Sequence, residues 1–141
     1  DPKDTVATLS NAMDVSQPNN WPRIEAMIEL GDVDKSAISG ATVDEEYTQV
    51  AMRQLAQLGY VSEPHAAIAY KALVRKIEQG QTGIFLGTAH PAKFRETVEN
   101  VLGQPISLPQ PLADCAGKEG LSVELPCDYQ TVKAHMLSLL G

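Results

Sequence analysis

The stretch Thr82-Gly83-Ile84-Phe85-Leu86-Gly87-Thr88-Ala89-His90-Pro91-Ala92-Lys93-Phe94 limits the fold more than any other part of the chain. A short apolar run, Ile84 to Leu86, stops at Gly87 and presents a hydroxyl at Thr88. Regular structure then resumes at Pro91, a residue suited to the first turn of a helix. The pattern predicts a buried strand that ends at Gly-Thr just before a helix. Open α/β sheets bind ligands outside the carboxyl ends of their strands, which is where this hydroxyl would stand. The expected fold class is α/β, with helices packed on a short sheet and Thr88 turned toward a ligand.

The helices are read from periodicity and from their ends. Asn20 can cap a first helix, with Pro22 in its first turn and Ile24, Met27 and Ile28 on one face, closed by Gly31. Thr42 to Glu45 fits a capping box for a second helix that places Tyr47, Val50, Ala51, Leu55 and Leu58 inward and stops at Gly59. Ala41 to Val43 is a candidate short strand before it. Pro64 opens a third helix, in which Ala66, Ala69, Tyr70, Leu73, Val74 and Ile77 form the cleanest amphipathic stripe of the chain. A fourth helix runs from Pro91 to Leu102, with Gly103 beyond it. Pro105, Pro109 and Pro111 predict an extended segment, and Leu121, Val123 and Leu125 alternate like an edge strand. Asp128 caps a last helix, with Tyr129, Val132, Met136, Leu139 and Leu140 expected inward.

At 141 residues the chain is long enough for one core, and residues 1–141 are read as a single domain. A net charge of -7 argues against nucleic acid, which calls for a basic face, and against an anionic membrane surface. No apolar run approaches the roughly 20 residues of a spanning helix, and the opening Asp1-Pro2-Lys3-Asp4-Thr5 is not a signal peptide. The expected location is the cytoplasm. The opening also lacks a cap or an apolar pattern, so the chain is expected to belong to a longer one. Ser10-Asn11-Ala12-Met13 looks like a tag remnant but follows ordered-looking sequence and is read as native. Cys115 and Cys127 have no metal-ligand spacing and are expected to be reduced; no metal site is expected.

Several side chains invite a chemical role. Thr88 either meets a ligand or caps the next helix. His90, just before Pro91, is a helix cap, a buried histidine or an anion contact at the helix N-terminus. His65 stands in the same setting after Pro64. Arg23 could clamp an anion bidentately, or be a surface residue. Lys93 is the residue a Schiff base would ask for, but its place beside Phe94 in a first turn fits a solvated lysine better. There is no phosphate-binding glycine loop and no Gly-x-Ser-x-Gly elbow.

Four stretches carry a family resemblance. They are Ser10 to Arg23 (Ser-Asn-Ala-Met-Asp-Val-Ser-Gln-Pro-Asn-Asn-Trp-Pro-Arg), Thr42 to Glu46 (Thr-Val-Asp-Glu-Glu), Ser62 to Ala67 (Ser-Glu-Pro-His-Ala-Ala), and Leu86 to Phe94 (Leu-Gly-Thr-Ala-His-Pro-Ala-Lys-Phe). In order and spacing they resemble the C-terminal third of bacterial threonine synthase, over almost the whole chain and most weakly after Gly103.

The resemblance implies a pyridoxal-phosphate enzyme with the tryptophan-synthase-β-like fold (fold type II), to whose large domain this region would belong. Such an enzyme converts O-phosphohomoserine and water to threonine and phosphate. It implies that Thr88 is the hydroxyl residue facing the pyridine nitrogen of pyridoxal 5'-phosphate, and that Asn20, Arg23 and His90 line the substrate side. The family's Schiff-base lysine has a His-Gly-Pro-Thr and Phe-Lys-Asp context that none of the seven lysines here shares. Its glycine-rich phosphate loop is missing too. Both are expected in the part of the protein preceding Asp1, so this piece alone is expected to be inactive. The family's usual Pro-Ser-Asn reads Pro18-Asn19-Asn20 here. The implied partners are O-phosphohomoserine and the remainder of the synthase chain, with self-association of the piece left open. The rival reading is a stand-alone, non-enzymatic α/β ligand-binding or interaction module.

Overall fold

The computed structural model describes residues 4–11, 14–16 and 18–140. Of the first resembling stretch, Ala12, Met13 and Gln17 lie outside the described residues, as do Asp1, Pro2 and Lys3 of the opening. Among the described residues six α-helices form: α1 (Trp21–Glu29), α2 (Glu45–Gln57), α3 (Pro64–Lys76), α4 (Arg95–Leu102), α5 (Gln110–Ala116) and α6 (Tyr129–Ser138). A 3₁₀ turn, Pro91–Phe94, leads into α4. The chain divides into two compact units, Asp1–Ser107 and Leu108–Gly141.

Local chemistry explains the helix starts. The Asp44 carboxylate accepts the Tyr47 amide at 2.9 Å and so caps α2. This corrects the expected Thr42–Glu45 box: the helix begins one residue after Asp44, and Thr42 lies outside it, where its carbonyl accepts from Arg75 instead. α3 is capped by Glu63, whose carboxylate accepts the amides of His65 and Ala66. α6 is capped by Asp128, as the sequence predicts. At the other ends, Gly31, Gly59, Gly80 and Gly103 all take positive φ. Gly103, at φ 68°, is the left-handed C-cap of α4.

The core of the first unit is where α2 packs on α3 and α4. Ala51, Met52 and Leu55 of α2 meet Ala67 of α3, Phe94 of the 3₁₀ turn and Val98 of α4. Thr48 is buried as well, because its hydroxyl donates to the Asp44 carbonyl and leaves no unsatisfied group. The inward face of α2 is therefore rotated from the expected one: Tyr47 and Leu58 are exposed. Tyr47 lies under the Arg75 guanidinium, 4.7 Å from its ring centre. On α3 the buried residues are Pro64, Ala66 and Ala67, while Val74 and Ile77 are exposed. Arg53 fastens α2 to the end of α4 by donating to the Val101 carbonyl at 3.1 Å.

The expected short sheet is not found: among the described residues there is no strand. Ile84 to Leu86, Ala41 to Val43 and Leu121 to Leu125 are all outside regular structure. Nor is the Ile84–Leu86 run buried, since Ile84 is 83% and Leu86 73% exposed. The reason is physical. A strand is defined by a neighbour that takes its backbone groups, and no such neighbour pairs with these residues.

The segment nevertheless keeps a strand's alternation by lying along α3. A Cβ placed on Gly83 would stand 2.8–2.9 Å from the side-chain ends of Leu73 and Ile77. Phe85 meets Tyr70 edge-on, with ring centres 5.6 Å apart. A Cβ on Gly87 would stand 3.9 Å from Ala66 Cβ. Residues 83, 85 and 87 thus face α3, running opposite to it, and 84 and 86 face away. The lengths agree: the four-residue step from 83 to 87 spans about 13 Å when extended, and the nine or so residues of α3 alongside it rise about 13 Å.

In the second unit the prolines do not hold the chain extended. Pro109 precedes α5 and Pro111 falls in its first turn, where a missing N–H has no helical partner to lose. α6 lies where expected, but Tyr129, Val132, Met136, Leu139 and Leu140 are exposed rather than inward.

Candidate functional site

The site is built at the N-terminal end of α3. Glu63 is 1% exposed and its carboxylate is fully engaged. It takes the His65 amide at 2.7 Å, the Ala66 amide at 2.8 Å and the His65 ring Nδ1 at 2.6 Å. The His65 ring is hydrogen-bonded to Glu63 through Nδ1, and its Nε2 is buried without a partner. Ser62, 2% exposed, also has a hydroxyl without a partner. Phe94 leans on the His65 ring with centres 5.2 Å apart. Of the alternatives open for His65, the geometry favours the hydrogen-bonded histidine over an anion contact. The Glu63 carboxylate already consumes the first-turn amides and brings its own negative charge, so no anion-binding end is left.

Thr88 follows Gly87 at the point where the segment leaves α3, and it is exposed. The competing role of capping the next helix falls to His90, whose Nδ1 accepts the Ala92 amide at 3.1 Å. That leaves the Thr88 hydroxyl outside the cap. His90 also lines an open cleft of about 560 Å³ with Tyr60, Val61, Ala89, Gln104 and Ile106. The return of the chain after α4, Gln104 to Ser107, lines the cleft as well. Glu99 accepts the Ile106 amide at 3.0 Å and Arg95 Nε at 2.8 Å. These two donors, Arg95 first, hold the Glu99 carboxyl below the usual range.

The structure does not bring all the candidate residues together. Asn20 and Arg23 are exposed at the start of α1, a helix with no buried residue. The Asn20 side chain makes no cap hydrogen bond, and neither residue lines the cleft at His90. Lys93 is exposed, with its Nζ 5.8 Å from the Phe94 ring centre. His135 lies in α6, in the other unit. Cys115 and Cys127 are exposed and unpaired. Among the described residues no group of three or more His, Cys, Asp or Glu could hold a metal ion. Nor is any helix among them long and apolar enough to cross a membrane.

Sequence reasoning missed Glu63 and Tyr60. Glutamate is not a preferred N-cap residue, and only its position directly before Pro64 signalled the role. Tyr60 was passed over as a residue beyond a helix stop. Its hydroxyl instead stands 2.6 Å from where a Gly87 Cβ would be.

Comparison with known proteins extends this local picture. Residues 66–136 match the family model described as "Threonine synthase, C-terminal". The chain is 52% identical over 137 residues to the threonine synthase of Escherichia coli K12, covering 97% of this chain and 32% of that protein. A more distant threonine synthase, from Pseudomonas aeruginosa, is 29% identical over 164 residues. Among solved structures, the E. coli threonine synthase superposes with a TM-score of 0.88 at 51% identity, over 99% of this chain and 32% of that one. The PLP-bound threonine synthase of Brucella melitensis superposes with a TM-score of 0.64 at 25% identity, over 83% of this chain. The chain thus spans about a third of the length of the relatives it matches. The four sequence stretches, the helical frame and these likenesses agree that the chain belongs to the threonine synthase family and corresponds to its C-terminal part.

Proposed function

We propose that this chain is the C-terminal part of a pyridoxal-phosphate-dependent threonine synthase. The whole protein would convert O-phosphohomoserine and water to threonine and phosphate in the cytoplasm. The observation that carries this reading is identity of about half over 97% of the chain to a threonine synthase. The rest of that protein would supply the lysine that attaches the cofactor and the groups that hold its phosphate. It would also be this chain's principal partner. Fold type II follows from the same kinship and belongs to the proposal.

The residues present fit one part of such a site. Thr88 is exposed, and the cap of the following turn belongs to His90. Its hydroxyl can therefore donate to the lone pair of a pyridine nitrogen. When bound, pyridoxal phosphate withdraws electrons from the substrate carbon through that ring. A threonine hydroxyl does not give up its proton to a pyridine, so Thr88 leaves the ring nitrogen uncharged. A carboxylate there would hold it protonated. The milder electron withdrawal suits a reaction that must direct charge first toward loss of the γ-phosphate and then toward addition of water at the β-carbon. His90, on the cleft beside this turn, is the nearest of the proposed substrate-side residues in sequence. Asn20 and Arg23 are assigned to that side by kinship alone.

The test is Thr88→Val in the full-length enzyme. Cofactor binding is expected to persist while kcat falls by about 10²-fold, the scale of losing one well-placed donor. Unchanged turnover would refute the role. The stand-alone module reading has no observation in its favour.

A further inference from the structure

We infer that Tyr60 and Gly87 are positioning residues for Thr88, an inference that rests on the role just proposed for that hydroxyl. The segment that presents Thr88 lies along α3, whose first turn is tied down by hydrogen bonds. Glu63, buried and with its carboxylate engaged by two amides and the His65 ring, locks the first turn of the helix. Ala66 in that turn faces Gly87, with 3.9 Å from its Cβ to the place a Gly87 Cβ would take.

Tyr60 stands on the same face of the segment. Its Oη would be 2.6 Å from that same place, and its Cζ 3.9 Å. Only the phenolic oxygen obstructs; the ring itself is at ordinary contact distance. Tyr60 also meets Phe85 edge-on, with ring centres 6.1 Å apart, so it touches the segment at two alternate residues. Gly87 therefore packs toward two neighbours, the first turn of α3 at ordinary contact distance and the Tyr60 hydroxyl in the way of any side chain. A methyl group there must displace either the tyrosine or the backbone of Gly87, and moving the backbone moves Thr88. A shift of about 1 Å at a reacting centre costs on the order of 10²-fold in rate.

The experiment uses the full-length, cofactor-loaded enzyme and four variants: Gly87→Ala, Tyr60→Phe, the two combined, and Thr88→Val. kcat and KM are measured separately, together with the absorbance of the bound cofactor and its dissociation constant. Gly87→Ala is expected to lower kcat by roughly 10-fold or more with little change in KM, on the same misplacement argument. It should also shift the cofactor absorbance in the direction Thr88→Val does. In the Tyr60→Phe background, where the obstructing oxygen is gone, the same Gly87→Ala change is expected to cost less than about 2-fold, since nothing is left to displace. An equal loss in both backgrounds, or no loss in either, overturns the inference while leaving the Thr88 role intact. If Thr88→Val changes neither kcat nor absorbance, the functional reading fails first and the positioning role falls with it.

Discussion

Glu63 bears more of the local architecture than any single side chain near Thr88. A buried carboxylate survives only when its lone pairs are met, and here one group meets two helix amides and a ring nitrogen. Glu63→Ala would leave the Ala66 amide unmet in a buried place and the His65 amide and ring nitrogen unmet in a part-buried one, at a cost of about 3 kcal/mol in unfolding free energy. Glu63→Gln keeps one acceptor oxygen and is expected to cost clearly less. Denaturant unfolding of the full-length protein checks the order; equal costs for the two variants would show that the carboxylate's bonds do not set stability. The residue was hard to see in the sequence. Cap statistics favour serine, threonine, aspartate and asparagine rather than glutamate. Thr88 and His90, by contrast, were visible as a pair of alternatives. The hydrogen bond from Ala92 to His90 is what divides the roles between them.

At the scale of elements, the helix starts and stops set by prolines, Asp128 and glycines were legible. The starts of α1, α3 and α6 follow from Pro22, Pro64 and Asp128, and left-handed glycines close the turns after α1, α2 and α4. What depends on partners far along the chain was not legible. Ile84 to Leu86 has strand composition, yet pairing is a property of a neighbour, and the run lies on a helix instead. Three prolines read as breakers, yet two of them frame α5. Faces were harder than helices: α6 is in place, but the residues expected inward are exposed. One tie between elements has a clear pH signature. Glu99 binds the Ile106 amide back to α4 and is held below the usual carboxylate range by Arg95 and that amide. Its folded value is depressed, so its stabilising contribution is complete above the ordinary glutamate value of about 4.3. It is lost as pH falls through the lower folded value. The stability gap between wild type and Glu99→Gln should close as the solution is acidified through that window. A gap that stays constant from about pH 6 to pH 3 would count against the tie.

At the scale of the whole molecule, several large apolar side chains stand in solvent. Ile84 and Leu86 point away from α3 at 83% and 73% exposure, and Leu121 and Leu140 of the second unit reach 93% and 84%. Exposed apolar faces mark surfaces that other protein covers. The 141-residue polypeptide by itself is expected to self-associate in a concentration-dependent way, and the Ile84→Ser/Leu86→Ser pair to weaken this, as seen by light scattering after size exclusion. A monomer at all concentrations would show that these residues tolerate water. The alternation along α3 has a further consequence for inheritance. Positions 83 and 87 admit no side chain without displacing a neighbour, so selection should hold them wherever α3 and this segment coexist. Positions 84 and 86 are free to drift in the isolated polypeptide. If they are constrained in the complete protein, saturation mutagenesis of the two forms would give two tolerance profiles for one stretch. Subtracting them would draw the outline of any neighbour that covers these two positions, from genetics alone.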